Sequence, residues 1–549
     1  MFLTTLFGLW PTKILSALSW PISNLSSTSI ARYIGGAAGF FALKFVCKCV
    51  YRITWHPLVK YPGPFLASVT DLYAAYHGFL GDIHLDIWQC HEKYGPFVRY
   101  GPNRLLVNSS NGLHDIYGHG QNFQKSKAYL PMVPEEGGWC TLTCIDKSMH
   151  RYKRRLITQG LSDDALKAFE PSLLAHIDIF CHKLGEGGLR RNGQWTEPRN
   201  MNDYDKWLTL DVMGEFGFGE RMGLLESSKH RFIIDVMHFY SWVMGFYEQF
   251  PGIAKLRLEY VLLFGRRLLR LNTAAQDQWE DWKDRFAASV LQEDQSQQKG
   301  LFSTVLKLRN NFSLSELWAE GSFLMLAGSD TSATTLSGLF FYLAHNPDVH
   351  QTLEKEIRSS FAESDAIISG PQLSSCVYLH ACINETLRMS PSTPGAPWRE
   401  AQAGGAVVDG NSVPAGCDVG TCIYALHHRE EYFPQSYAFV PERWLSGALV
   451  SSEQLKAAHK AFNPFSLGPR GCPGRSLALL QISLTLARVL FDFDFRLAEG
   501  ELAHVGEGTP GVINGRHRVS EFQLSAHVTA SSKGPQLQFR ARNIEGFKR

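Results

Sequence analysis

The chain has 549 residues, 44% of them hydrophobic and 19% charged, enough to build one or more large cores. Its 54 Lys and Arg against 52 Asp and Glu give a formal net charge of +2, and no basic tract with interleaved aromatics occurs, which argues against a nucleic-acid partner. Eleven irregularly spaced cysteines do not form a disulfide scaffold. Neither Cys47 with Cys49 nor Cys140 with Cys144 has the second pair and the histidine that a zinc site needs, so buried, reduced thiols are expected.

The first stretch, MFLTTLFGLWPTKILSALSWPISNL, is apolar but broken by Pro11 and Pro21, and it lacks the pattern of a removed signal peptide. Residues 30–53, IARYIGGAAGFFALKFVCKCVYRI, are long enough for a helix that crosses a bilayer. Arg32 lies near one end, and Lys44, Lys48 and Arg52 crowd the other, where long side chains reach the interface. The expectation is a membrane-anchoring region over 1–53 that crosses once, with the rest of the chain cytoplasmic; a segment lying in the interface is the alternative. Pro57, Pro62 and Pro64 make 54–65 a stiff hinge. With no internal repeat or later linker, 66–549 reads as one large domain.

Within it, FVRYGPNRLLVN at 97–108 predicts strand, turn and strand. Residues 148–345 are mainly helical, with loops near 184–199 and 298–312. The clearest helix follows Ser313 and Glu316, a capping box, and should end near Asn346-Pro347. It is apolar almost all round and therefore buried. In its middle AGSDTS, Ala327 to Ser332, puts Gly328, Asp330 and Thr331 where a buried helix normally has large apolar side chains. A close helix crossing with a satisfied polar pair is one reading. A gap in the helix wall for ligand or water, with Asp330 and Thr331 relaying protons, is the other.

Further on, Glu385 and Arg388 stand three apart on a helix face, with Arg443 a second partner for the carboxylate. FSLGPRGCPGRSLAL, Phe465 to Leu479, then holds Cys472. Pro473 suits a first helical turn, which puts Cys472 at a helix N-terminus where amide donors favour a thiolate. Gly468, Gly471 and Gly474 permit a tight turn and close approach of a flat ligand, and Arg470 adds charge. A thiolate ligand to a metal explains the combination; an inert cysteine in a turn does not.

In this order the segments resemble the cytochrome P450 family, whose cysteine signature is matched by Phe465, Gly468, Arg470, Cys472 and Gly474. The resemblance implies a mainly α fold with smaller β-sheets, a long central helix and an N-terminal membrane anchor. It implies haem b, with Cys472 the axial ligand of the iron and Phe465 packed near the sulfur. Ala327 and Gly328 would border the distal pocket, and Asp330 and Thr331 would deliver protons to bound dioxygen. Glu385, Arg388 and Arg443 would stabilise the fold on the haem side. Arg399, Arg470 and Arg154 resemble propionate partners, and His150 stands where the family has a tryptophan.

The overall pattern resembles fungal microsomal members of secondary metabolism. That implies an endoplasmic reticulum membrane location and a monooxygenase that hydroxylates or epoxidises a hydrophobic metabolite such as a terpenoid, polyketide or alkaloid. NADPH-cytochrome P450 reductase would supply electrons, with cytochrome b5 as a further partner beside membrane lipid. Substrate walls are expected at 232–252, 128–145 and 391–398 and in GEGTPGVING. A haem-thiolate isomerase or dehydratase needing no reductase and a non-catalytic haem sensor are the rival readings. The intact Asp330-Thr331 pair favours oxygen activation.

Overall fold

A computed structural model describes residues 27–133, 137–187, 194–219, 221–254, 277–279, 281–282, 312–446 and 451–542. The chain divides into two compact units, Met1–Lys60 and Tyr61–Arg549. In the first, helix α1 spans Ser27–Thr54 and turns follow it. Among the described residues no helix is long and apolar enough to cross a membrane, which overturns the expected single-pass anchor. The cause lies in composition. Arg32, Lys44, Lys48 and Arg52, together with Gly35, Gly36, Ala37, Ala38 and Gly39, dilute the apolar content of α1. The endoplasmic reticulum membrane location and the lipid contact that rested on this crossing lose their support. The apolar stretch before Ser27 lies outside the described residues.

The second unit is mainly helical with small sheets, as the sequence pattern leads one to expect. Strands β1 (Phe97–Gly101), β2 (Arg104–Val107), β3 (Phe123–Lys125), β4 (Arg399–Ala401) and β5 (Asp418–Gly420) form one sheet in the order β1-β2-β5-β4-β3. The predicted strand-turn-strand is the antiparallel β1–β2 pair, with Phe97 opposite Val107. In the antiparallel β3–β4 pair, Lys125 stands directly opposite Arg399.

Helices α2 (Lys147–Gly160), α3 (Asp163–Gly185), α4 (Met201–Met213) and α5 (Phe232–Gln249) lead to the central helix α6 (Leu314–His345). Ser313 and Glu316 form the expected capping box: each side chain accepts the other residue's backbone N–H. The helix stops at Asn346, and Pro347 opens the next one. Its 32 residues span roughly 48 Å.

From Ser332 to Leu343 the central helix is buried throughout. It packs on α4, on α7 (Val377–Met389) and on α8 (Arg475–Asp492). Leu336, Leu339, Phe340 and Phe341 join Leu173, Ile177 and Phe180 of α3 and Ile482 and Leu486 of α8 in the main core. Each such side chain contributes about 1.5–3 kcal/mol by leaving water. Strands β6 (Phe493–Leu497) and β9 (Gln536–Ala541) pair beside this core, and the hairpin of β7 (Leu524–Ala526) and β8 (Ala530–Ser532) lies on α6. Thr334 of α6 donates to the Ala530 carbonyl at 3.0 Å. The expected loops near 184–199 and 298–312 lie partly outside the described residues, as does part of the 128–145 wall.

Candidate active site

The loop before α8 is shaped by one obligatory glycine. Gly468 has φ +62°, and a Cβ there would meet the Tyr117 carbonyl oxygen at 2.1 Å. This contact seats the loop on the body. Arg470 fastens it further, donating to the carbonyls of Cys144 at 2.6 Å and Ile145 at 3.0 Å, and Arg154 of α2 donates to the Gly471 carbonyl. The Cys472 amide donates to the Phe465 carbonyl at 2.8 Å. Arg475 lies over the Phe465 ring at 5.7 Å.

Cys472 lies just before the helix rather than in its first turn: α8 starts at Arg475, with Gly474 as its cap. Of the cysteines in the Tyr61–Arg549 unit, Cys472 alone is exposed; the other eight are buried. Desolvation nevertheless raises its pKa. The backbone N–H groups of Gly474 and Arg475 and the nearby Arg154 and Arg475 charges oppose that rise. Gly474 leaves this side open: a Cβ there would have only the Cys472 sulfur within contact range, at 3.9 Å.

Beside the loop is an unusual concentration of positive charge. Lys125, His150 and Arg399 are buried, and Arg154 and Arg470 are close to them. Cross-strand neighbours of like charge, such as Lys125 and Arg399, destabilise a sheet. Burial lowers the pKa of Lys125 well below that of a free lysine, and Arg399 and Arg470 lower it further. Burial and then Arg399 push Arg470 down to about 10. His150 is pushed down to about 3 by burial and by Arg470, Lys125, Arg154 and Arg399, so its ring is neutral at pH 7. Glu248 faces Lys125, but burial pushes its own pKa up to about 7. No described carboxylate forms an ion pair with any of the five.

On α6 the small residues divide between two tasks. Gly328 serves a close crossing: a Cβ there would meet the Met213 sulfur of α4 at 2.4 Å. Ser329, Thr331 and Thr335 each donate to the carbonyl four residues back, Thr331 to Ala327 at 2.7 Å. Asp330 is buried, its carboxylate accepting the Thr529 hydroxyl from the β7–β8 turn. Burial raises its pKa, and Lys206 of α4 with the Thr529 bond works against the rise. The close crossing of the first reading of AGSDTS is present at Gly328, and Asp330 and Thr331 are held by Thr529 and the Ala327 carbonyl.

Glu385, Arg388 and Arg443 form a closed network. The two Glu385 oxygens accept from Arg388 Nε and Nη2 at 2.9 Å each, and Arg443 Nε adds a third bond at 2.9 Å. The Val440 amide and the Trp444 indole complete its shell at 3.0 Å. Remaining guanidinium donors reach the carbonyls of His427, Ser436 and Pro434. Burial would raise the Glu385 pKa, but Arg388 and then Arg443 hold it below the usual carboxylate value.

Lys125 escaped the sequence reading. Its motif, FQK, is an ordinary strand end, and only the pairing with Arg399 brings it to the site. Of the expected walls, Trp398 is a buried core side chain, and GEGTPGVING carries Val512 and Ile513 to the surface.

Fold and site define a class: an α-rich protein with one long central helix, a single accessible thiol in a glycine-bearing loop, and a cluster of basic residues beside it. The Cytochrome P450 family profile matches residues 62–516. Cytochrome P450 monooxygenase apf7 of Gibberella fujikuroi is 38% identical over 512 residues, covering 90% of this chain and 95% of that protein. Cytochrome P450 monooxygenase atnE of Emericella nidulans is 38% identical over 520 residues, covering 92% and 96%. Cytochrome P450 monooxygenase poxM of Penicillium oxalicum is 36% identical over 528 residues, covering 95% and 96%. The chain belongs to the cytochrome P450 family and is a fungal cytochrome P450 monooxygenase. Membership implies haem b as its cofactor.

Proposed function

We propose that the protein transfers one oxygen atom of O₂ into an unactivated carbon or a double bond of a hydrophobic fungal secondary metabolite, a terpenoid, polyketide or alkaloid. The observation that carries this reading is the accessible Cys472 thiol beside five basic residues that no described carboxylate neutralises. The residues fit a flat, dianionic, iron-bearing group. Haem b, when bound, supplies the oxygen-activating chemistry, and the protein supplies position, charge and protons.

With haem bound, Cys472 would hold its iron through the thiolate sulfur, and the backbone N–H groups of Gly474 and Arg475 would temper the charge on that sulfur. Gly468 and Phe465 fix the loop that presents it, and Gly474 keeps the approach clear. Arg154, Arg399 and Arg470 would hold the two propionates, with Lys125 and His150 beside them. Asp330 would hold a proton and the Thr331 hydroxyl, turning from the Ala327 carbonyl, would pass it on. Ala327 and Gly328 border that space. Glu385, Arg388 and Arg443 hold the haem-side core.

Electrons come from an NADPH-dependent reductase, with cytochrome b5 as a second donor. The chain is organised as an N-terminal segment 1–53, a proline-rich connector 54–65 and a catalytic body 66–549. Two experiments test these assignments. Cys472→Ala should abolish the thiolate-type band of the reduced carbonyl complex; a retained band overturns the ligand. Co-expression with a reductase and candidate metabolites should yield a product one oxygen heavier, and product formed equally without reductase overturns the monooxygenase cycle.

A further inference from the structure

Between α4, α5 and α6 lies a cavity that no step above uses. Lys206, Thr209, Leu210, Ile234, Met237, His238, Ser329 and Asp330 surround it, and about 10 Å³ is open to the centre of a water molecule. A space of that size holds one water where it has two to four polar partners. Lys206 and Asp330 border it together, and they make no ion pair with each other within 4.0 Å. The carboxylate is fixed on its other side. Thr529 donates to it, and Ser241 Oγ of α5 lies 3.2 Å from the Thr529 hydroxyl.

Lys206 is buried, and its ammonium donates to His238 Nε2 at 2.7 Å. His238 is half-buried and Asp235, one turn before it, is exposed, so this end of the row reaches solvent. The charged and titratable groups facing the row are Asp203 and Asp205 of α4, Asp235 and His238 of α5, Asp330 of α6 and His527 of the β7–β8 turn. Solvent, His238, Lys206, one water site and Asp330 therefore form a continuous line into the central helix.

We propose that Lys206 supplies protons to Asp330 through a single water in this cavity, with His238 as the positioning residue that holds its ammonium. The inference rests on the proton-carrying role assigned to Asp330. When Asp330 has passed its proton on, the Lys206 ammonium gives one to the cavity water, which passes one to the carboxylate. The neutral amine regains a proton from bulk water at the His238 end, so no charge is left behind. Burial keeps His238 neutral, down at about 4, as an acceptor for the ammonium must be. Burial lowers the pKa of Lys206, easing release, and the nearby Asp330, Asp203, Asp205 and Asp235 work against that fall.

The test uses the haem-loaded full chain with a cytochrome P450 reductase. Lys206→Met, His238→Phe and Asp330→Asn are compared for the solvent isotope effect on NADPH oxidation and for the share of electrons lost as hydrogen peroxide. An infrared titration of the Asp330 carboxyl, assigned by its loss in Asp330→Asn, gives a readout independent of turnover. Lys206→Met should raise both the isotope effect and the peroxide share several-fold and move the carboxyl midpoint upward, with His238→Phe in between. If Asp330→Asn changes these readouts while Lys206→Met and His238→Phe keep wild-type values, the Lys206 route is overturned and the Asp330 role stands. If Asp330→Asn changes nothing either, the Asp330 role falls too. Should Lys206→Met fail to load haem, a wild-type isotope effect in His238→Phe overturns the proposal by itself.

Discussion

Two buried clusters of arginines in this protein are opposite in design. Around Glu385 every charge is answered: two guanidiniums meet one carboxylate, and the remaining donors end on backbone carbonyls. Around His150 the charges are left open, with Lys125 and Arg399 opposed across a strand pair and no described carboxylate bound to them. A closed network is a part of the fold. An open one is unfavourable by itself and gains stability when an anion enters, as the proposed propionate contacts would have it.

The comparison breaks most severely at Glu385. Glu385→Ala leaves Arg388 and Arg443 buried without their carboxylate, at a cost of about 3–5 kcal/mol. Loss of folded protein both with and without haem is expected in expression and thermal unfolding; a variant that unfolds normally would remove the contrast. Gly468→Ala should come next. It forces a side chain into a left-handed backbone and against the Tyr117 carbonyl, at about 1–3 kcal/mol for the conformation alone, and the Cys472 loop should lose its seat.

Arg470→Gln sharpens the difference by sign. Removing one of several like charges should stabilise the haem-free protein and weaken haem retention, so the two melting temperatures move in opposite directions. A drop in both would reduce Arg470 to a strut for the Cys144 and Ile145 carbonyls. His150 reports the same charge through pH. Its folded pKa of about 3 lies below that of a free imidazole, so its neutral form contributes stability above about pH 6.5 that is lost as pH falls. His150→Asn should flatten this acid loss in the haem-free protein, and haem loading should flatten it too. An acid limb that neither change alters would show that the five basic residues do not act together.

How far these clusters were legible in the sequence follows from the range of the interactions. The Cys472 loop and the Ser313–Glu316 cap are local, and short spacing rules capture them. Glu385 and Arg388 are also local, whereas the enclosing carbonyls of His427, Ser436 and Pro434 come from distant coil. Lys125 was invisible because strand register, not spacing, brings it opposite Arg399. The Met213 packing against Gly328 was likewise invisible, because it comes from a distant helix. The membrane crossing failed on quantity: the length of α1 suffices, but its cations and small residues leave too little apolar content. Pro473 suggested a helix start two residues early, because a proline that fits a first turn also fits the turn before it.

The smallest effect is expected at Gly474, and it separates the fold from the site most finely. Its φ of −84° suits any residue, and an added Cβ would touch only the Cys472 sulfur, at 3.9 Å. Nothing in the protein alone requires glycine there, in contrast to Gly468, whose added Cβ would meet the Tyr117 carbonyl. Gly474→Ala should therefore leave the haem-free stability within about 0.5 kcal/mol of wild type, the range of an unstrained surface substitution. The methyl group would still stand in the space kept clear beside the thiol. Haem affinity should fall and the carbonyl-complex band should shift, while Gly468→Ala lowers both stability and occupancy. Equal stability with unchanged haem affinity in Gly474→Ala would mean that the open side of Cys472 is not where the cofactor approaches.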